Sequence, residues 1–535
     1  MAKGKLSHPM QKSGPFTPTS HPFRGISLLA LALLLSKLLS AVYKVPLQNL
    51  TGDAGFYVYQ QVYPLYGIGL VFTYSGLPVF ISKFLAECQT DQDRLNQAQK
   101  IFTLLVMLSL PLSLLLFALS GSLAQVMGDG HLSTMIKLVS LFYLFIPFLA
   151  TSRGFFQSKL DMAPVALSQV LEQLGRVTII ILAALAFASL DISLYQMGGL
   201  AMTSSILSPL LASLVLLLFF NQRDNGLSQS FGFSLPSWGM VKAFIVEGGQ
   251  TVVVYSLLLF FQLLDSFTVF KNLKQAGLPA GQAMLAKGVY DRAQPFAQVG
   301  LTLALAMAMN LVPSLTQFFN RGDYKGWLKL SQSTFKLSLI LGSATSLGLT
   351  AVMPLLNQAF FADSKGTQVL QLYMALVFFL SISLTLHAIL QSTSVDHFTG
   401  YAILFVLGLK ALLNPLLIRS AGIMGAGSLT VVLTALLSLI MFIQVPRQIW
   451  QFIFQARFLV KYLLANGLMY LPVSYLANLS PDQGRLGALL EAVALSGLGL
   501  IIYTLASLRL KILDPASLDS LPFAKILKKV GGYYD

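Results

Sequence analysis

Long apolar runs, separated by short polar or Gly/Pro-rich breaks, recur along almost the whole chain. Each run has about 20 residues, the length that a helix needs to cross a hydrocarbon core of about 30 Å. Because backbone polar groups in lipid must be satisfied within the segment, runs of this length predict helices and not barrel strands, which would be shorter and alternating. The predicted fold class is an all-α polytopic membrane protein.

The breaks divide the chain into about fourteen predicted transmembrane helices, in two sets of six followed by two more. The first set is predicted at 26–47, 56–82, 100–120, 133–152, 164–189 and 196–220. The second set is predicted at 243–270, 288–317, 330–356, 367–391, 398–418 and 425–446, and the last pair at 458–478 and 486–508. Two sets of equal size indicate an internal repeat, as in many transporter folds.

The predicted organisation therefore has two six-helix lobes plus two C-terminal helices. The corresponding segments are a cytoplasmic N-terminal tail at 1–24, an N-lobe at 25–222, a C-lobe at 223–447, the last two helices at 448–510 and a basic cytoplasmic tail at 511–535.

Basic residues are concentrated on one predicted side of the membrane. The predicted inner segments hold 22 Lys and Arg, whereas the predicted outer loops hold six: Lys271, Lys274, Lys287, Lys365, Arg419 and Arg485. Because cytoplasmic loops carry an excess of Lys and Arg, this distribution predicts a multi-pass protein of the cell membrane with both termini in the cytoplasm. The predicted outer loop 271–287 is the exception, since it carries three lysines.

Composition agrees with a membrane protein and narrows the function. Hydrophobic residues make up 55% of the chain and charged residues 10%, against about 25% charged in soluble domains. The excess of 35 Lys and Arg over 20 Asp and Glu is explained by orientation, so no nucleic-acid partner is predicted. The sequence has no phosphate-binding G-x-x-x-x-G-K-[ST] loop, no H-E-x-x-H and no Cys/His cluster. A transporter without a metal or cofactor, driven by an ion of unspecified identity or by the membrane potential, is therefore predicted, and not an enzyme.

Ionisable side chains inside predicted helices are candidates for the functional site. They cost about 2.5 kcal/mol or more to insert at a helix centre, so they tend to face an interior or a watery cavity. Lys37, Lys44 and Arg292 have no carboxylate at helical spacing on the same face, and we predict that they bind an anionic ligand. Further candidates for cavity or coupling roles are Asp265, Asp291, Glu172, Arg176 and Gln298.

Three of these candidates have structural alternatives. Glu172 and Arg176 stand at i, i+4, so an ion pair between them that only joins helices is the favoured interpretation. Asp265 fits a structural contact, a coupling-ion site or the partner of a buried cation. Pro64, Gly76, Pro78 and Pro295 are candidate gate or hinge positions, because proline and glycine bend or loosen helices.

Several strings of residues resemble a known family. They include S-K-L-L-S-A-V-Y-K-V-P-L, G-D-A-G-F-Y-V-Y-Q-Q-V-Y-P-L-Y, R-G-F-F-Q-S-K-L-D-M-A-P-V-A-L-S-Q-V-L-E-Q-L-G-R-V at 153–177 and G-V-Y-D-R-A-Q-P at 288–295. Together they resemble the YtgP/SpoVB polysaccharide biosynthesis branch of the MOP flippase superfamily, over essentially the whole chain. The resemblance implies two six-helix lobes around an alternating-access cavity. Within the superfamily the chain resembles the Gram-positive MurJ type of lipid II flippase.

This resemblance implies a cargo and a site. The implied cargo is an undecaprenyl-pyrophosphate-linked oligosaccharide in the lipid bilayer, with lipid II as the expected molecule and cell-wall synthesis proteins as candidate partners. MurJ-type proteins hold the head group with arginines on the first, second and eighth helices. Arg292 matches the eighth-helix arginine, and Lys44 keeps the first-helix charge without the bidentate fork, whereas the second helix has no arginine.

Other functions remain open from the sequence. Within the same superfamily these are a flippase for a teichoic-acid or capsular lipid-linked polysaccharide and a multidrug or cation antiporter. From another class, a membrane glycosyltransferase or polymerase would also be polytopic and basic.

Overall fold

The chain folds as a bundle of helices, shown in a computed structural model that describes residues 39, 43–223, 233–393, 397–479 and 484–512. No strand occurs in these described ranges, which agrees with the predicted all-α fold class. Lys37 and most of the predicted first transmembrane helix lie outside the described residues.

The N-terminal half forms helices from Lys44 to Arg223. They are α1 Lys44–Val71, α2 Leu77–Ala86, α3 Asp91–Ala118, α4 Ser120–Val126, α5 Ser133–Phe142, α6 Ile146–Ser158, α7 Met162–Ser189, α8 Leu194–Met202 and α9 Ser204–Arg223. A π-helical turn, Phe72–Gly76, joins α1 to α2, and a 3₁₀ turn, Tyr143–Phe145, joins α5 to α6.

The C-terminal half is also helical and ends in a final helix pair. Its helices are α10 Trp238–Ala243, α11 Gly249–Tyr255, α12 Leu257–Gln275, α13 Ala280–Asp291, α14 Ala293–Asn320, α15 Tyr324–Phe361, α16 Thr367–Gln391, α17 His397–Gln444, α18 Arg447–Trp450, α19 Ala456–Leu479 and α20 Gly484–Arg509. A second π-helical turn, Phe244–Gly248, joins α10 to α11.

The predicted transmembrane helices from the second to the fourteenth each coincide with one of these helices or with a run of them. By length and composition, nine helices in the described ranges could cross a membrane. Two of them are kinked at a glycine with non-helical backbone: Gly52 has φ 67° and Gly422 has φ 58°. Glycine reaches this left-handed region without a Cβ clash, so consecutive passes can join with almost no loop.

The two lobes meet along a seam formed by α1 and α2 on one side and α10 to α13 on the other. Small residues let the backbones approach: Gly67 faces Leu259, and Gly76 faces Val252. At one end of the seam the rings of Phe80 and Phe244 lie edge to face with centroids 5.4 Å apart.

The last two helices pack against α15 of the C-lobe. Tyr503 of α20 donates a hydrogen bond to the carbonyl oxygen of Ile340 at 3.0 Å, and Met469 of α19 joins the same apolar cluster. The two helices therefore enlarge the C-lobe and leave the seam between the lobes unchanged.

A close approach in the seam is a sensitive point for substitution. A methyl group at Gly288 of α13 would overlap the carbonyl oxygen of Asp53, which is backbone and cannot rotate away. We expect Gly288→Ala to lower the unfolding midpoint of the purified protein, since overpacking costs about 1–3 kcal/mol. Gly281→Ala on the same helix meets open space and is the matched control. An equal effect of the two variants would contradict the proposed overlap.

Candidate functional site

Arg292 lies at the junction of α13 and α14 and is fully buried. Its Nε and Nη2 donate to the two carboxylate oxygens of Asp53 at 2.8 and 2.7 Å, a bidentate pair. Its Nη1 donates to Asp363 at 2.5 Å and to the amide oxygen of Asn357 at 3.2 Å. These four residues are called the arginine lock below.

Local backbone geometry places the partners of Arg292. Asp53 directly follows the kink at Gly52, and the side-chain amide of Gln48 donates to it at 3.0 Å. Asp363 follows the end of α15, where Ala362 adopts the left-handed conformation with φ 64°. Both carboxylates therefore lie where predicted outer loops turn, and they reach Arg292 from opposite lobes.

The charges of the lock are balanced. Lys365 lies with its ammonium 3.5 Å from Asp363, so two cations face two carboxylates. Burial alone would raise the pKa of Asp363, but hydrogen bonds from Arg292 and from the Lys365 backbone amide outweigh this effect and lower the pKa below its usual value. The carboxylate is therefore ionised at neutral pH.

The sequence offers no carboxylate at helical spacing for Arg292, but two carboxylates from elsewhere in the chain pair with it in the structure. These partners are 239 and 71 residues away in sequence, Asp53 on α1 and Asp363 in the turn that follows α15. A search limited to one helix face could not find them. The two aspartates were visible only as acidic residues at the ends of apolar runs.

A second cluster lies beside the first on the N-lobe. The Lys44 ammonium is buried, 4.3 Å from the ring centroid of Tyr63 and 3.4 Å from the amide oxygen of Gln298 on α14. The guanidinium of Arg176 on α7 lies 5.3 and 5.4 Å from the rings of Tyr43 and Tyr66. We call the set the tyrosine patch; its members are Tyr43, Lys44, Tyr59, Tyr63, Tyr66 and Arg176.

The patch and the lock form successive levels of the same seam. Gln298 follows Arg292 by six residues, which is about 9 Å along a helix. The structure thus brings the predicted residues Lys44 and Gln298 into contact, with Arg176 in the same patch. Gln298 lies less than two helical turns beyond Arg292. Among the described residues no carboxylate forms an ion pair with Lys44.

The predicted ion pair between Glu172 and Arg176 does not form. The carboxylate of Glu172 accepts a hydrogen bond from Arg153 at 2.6 Å, and both side chains are buried. Arg153 also donates to Ser168 and to the carbonyl oxygen of Thr73 in the first π-helical turn. The predicted helix 133–152 leaves Arg153 in a loop, but α6 extends through it to Ser158. The apolar residues that follow Arg153 in the sequence indicate this longer helix.

The lysine-rich predicted outer loop is also shorter than expected. Lys271 and Lys274 belong to α12, and α13 begins at Ala280, so that Lys287 is helical and buried. Its ammonium pairs with Asp291 at 2.5 Å, one helical turn away. Asp291 is therefore occupied by a neighbour on its own helix.

Asp265 is the partner of a buried cation, one of the three alternatives considered. The ammonium of Lys410 on α17 lies 2.9 Å from its carboxylate, and both residues are buried. Tyr290 donates to the other carboxylate oxygen at 2.9 Å, and Asn414 donates to the first at 2.9 Å.

The predicted hinge residues fall at irregular points of the helices. Gly76 ends the first π-helical turn and Pro78 lies in the first turn of α2, whereas Pro64 is buried inside α1. Pro295 lies in the first turn of α14. A π-helical turn interrupts the regular hydrogen-bond ladder, so this end of α1 is a favourable place for bending. Their role as hinges stays a prediction.

Fold and site together define a multi-pass membrane protein whose two helical lobes meet across buried, charged contacts. The chain belongs to the polysaccharide biosynthesis protein family, whose model matches residues 23–319. An uncharacterized membrane protein YabM of Bacillus subtilis (strain 168) is 31% identical to it over 515 residues, 95% of this chain and 96% of the relative.

Two further proteins are similar to this chain. The lipid II flippase MurJ of Bacillus subtilis (strain 168) is 26% identical over 428 residues, 75% of this chain and 78% of the relative. The solved structure of a lipid II flippase MurJ in an inward closed conformation aligns with a TM-score of 0.65 and 13% identity, covering 90% of this chain and 98% of that one. The predicted resemblance to the MOP flippase superfamily is thereby confirmed.

The corrected partner of Glu172 can be tested by stability. Removing one member of a buried ion pair costs about 3–5 kcal/mol, because the other charge is left uncompensated. We expect Arg153→Ala to lower the unfolding midpoint strongly, and Glu172→Gln to relieve much of that loss in the double variant. The cycle of Arg176→Ala with Glu172→Gln is the control and should be close to additive. Strong coupling of Glu172 to Arg176, with none to Arg153, would reverse the assignment.

Proposed function

We propose that the protein is a flippase that moves an undecaprenyl-pyrophosphate-linked cell-wall precursor, with lipid II as the expected cargo, from the inner to the outer leaflet. It would act by alternating access of the two lobes, without making or breaking bonds. The pyrophosphate-holding residues would be Arg292 and Lys44, with Arg176 beside them. Lys37, also predicted for this role, lies outside the described residues.

The family and its relatives support the class of cargo. A relative that covers three quarters of this chain is a lipid II flippase by name, and the family is one of polysaccharide biosynthesis proteins. Cations beside aromatic rings suit a cargo of this kind, because pyrophosphate needs positive charge and sugar rings pack on aromatic faces. The same positive charge disfavours the alternative of a multidrug antiporter for cationic compounds.

The observation that carries the proposal is the arginine lock. Among the described residues, Arg292 and Asp53 form the ion pair that joins the two lobes. Gln61 supports the same closure, since it donates to the carbonyl oxygen of Ser266 across the seam at 2.7 Å. In the predicted orientation, the lock closes the outer side and the tyrosine patch lies on the inner side of that closure.

A pyrophosphate would compete with the lock. Arg292 already donates two hydrogen bonds to the carboxylate of Asp53. A pyrophosphate offers oxygens of the same geometry with more negative charge. A head group held at Lys44 lies close enough to take over the guanidinium and release Asp53. Cargo binding would thereby weaken the contact that closes the outer side, which couples occupancy to opening.

The cargo is tested at the cell surface. In cells where this chain is the sole lipid II flippase, its depletion should lower the lipid II that is accessible from outside. Wild type should restore it, whereas Arg292→Ala should fail while still reaching the membrane in normal amount. Arg292→Lys keeps the charge without the fork and should restore only part of it.

Arg419→Ala is the matched control for this experiment. Arg419 also lies at a predicted outer end, but its hydrogen bonds go to the amide oxygens of Asn272 and Gln275 and not to any residue of the lock. It should restore surface lipid II fully. Unchanged surface lipid II on depletion would exclude this cargo and favour a teichoic-acid or capsular lipid-linked polysaccharide.

The outer closure is tested separately by labelling. In a Cys88→Ser background, Gln298→Cys places a thiol at the level of the patch. Asp53→Asn should increase its labelling by a membrane-impermeant maleimide from outside, because the neutral amide holds Arg292 weakly. Lys365→Ala, which leaves the bidentate pair intact, is the control. Equal labelling with and without Asp53→Asn would show that the lock does not close the outer side.

A further inference from the structure

The surroundings of Lys410 resemble a cation site more than a simple ion pair. The ammonium lies 2.9 Å from Asp265 and donates to the hydroxyl oxygen of Thr430 at 2.6 Å. The ring of Phe261 covers it at 5.1 Å. All three polar residues are at most 1% exposed. Carboxylate and hydroxyl oxygens are the ligands that hard metal cations prefer in proteins.

A further polar residue, Asn414, lies beside Asp265. Asn414 is fully buried, and its amide nitrogen donates to Asp265 and to Thr268, at 2.9 and 2.7 Å. Its amide oxygen has no hydrogen-bond partner among the described residues. This buried oxygen accepts no hydrogen bond from the Lys410 ammonium, and it is free to turn towards an ion that replaces the ammonium.

We infer that Lys410 is a resident cation, whose ammonium fills a latent monovalent-cation site formed by Asp265 and Thr430, with Asn414 beside it. One carboxylate supplies one negative charge, so a single positive charge neutralises the site, and a divalent ion would leave a buried excess. The inference concerns the C-lobe alone and does not depend on the cargo proposed above.

A tethered cation has a consequence for energy coupling. A freely exchanging ion can enter from one side and leave on the other, and so can carry the free energy of its gradient. An ammonium fixed to α17 cannot leave, so this site exchanges no ion while the lysine is present. Tyr290 connects the site to the helix that carries Arg292, since its hydroxyl donates to Asp265. The lysine therefore keeps the carboxylate of Asp265 neutralised, and Tyr290, which bonds that carboxylate, is two residues from Arg292.

The test removes the lysine with and without leaving space. Lys410→Ala removes the ammonium and leaves room for an ion, whereas Lys410→Met removes the charge but fills the volume. Thermal unfolding of the purified full chain is compared in sodium chloride and in choline chloride at equal ionic strength. A ligand that binds only the folded state raises the midpoint in proportion to the logarithm of its concentration.

We expect sodium to raise the midpoint of Lys410→Ala, and to leave wild type, Lys410→Met and the double variant Lys410→Ala/Asp265→Asn unchanged. Lys410→Ser, which adds a hydroxyl ligand, replaces the alanine variant if that variant does not accumulate. Absence of a sodium effect in the folded alanine or serine variant would overturn the inference. So would a sodium effect on wild type that Asp265→Asn abolishes, because the ammonium would then not occupy the site.

Discussion

An ionised side chain inside a membrane-spanning helix costs several kcal/mol unless an opposite charge lies beside it. This constraint organises the described structure. Arg153 with Glu172, Lys410 with Asp265, and Arg292 with Asp53 each join two different helices, which are consecutive in the chain for the first pair and distant for the other two. A bundle in lipid gains little from apolar contact between helices, so pairs of this kind select which helices become neighbours.

The pairs differ in whether a transport cycle has to break them. Arg153 and Glu172 lie within the N-lobe, and Lys410 and Asp265 lie within the C-lobe, so both can persist while each lobe moves as a unit. Arg292 and Asp53 lie in different lobes, and any opening at their level separates them. Desolvation offsets much of the attraction in a buried ion pair. The lock therefore has short hydrogen bonds but contributes only a modest net free energy to the closed state.

The periodic and global features of the molecule were predictable from the sequence. Apolar run length gave the helices, since crossing the membrane fixes their minimum length and forbids other backbone structures. The presence of cations in the seam was also predictable, because Lys44 and Arg292 interrupt apolar runs. Helix ends were less so: Arg153 and Lys287 were assigned to loops although both are helical and buried.

The partners of the charges could not be predicted, because they depend on which helices lie side by side. Spacing of four residues suggested Glu172 with Arg176, yet the carboxylate pairs across helices with Arg153. The same spacing does describe Lys287 and Asp291. Local spacing therefore identifies an ion pair only when neither side chain faces a neighbouring helix that offers a stronger partner. In a two-lobe transporter that neighbour changes during the cycle, so the contacts that matter most for function are those that sequence spacing describes least well.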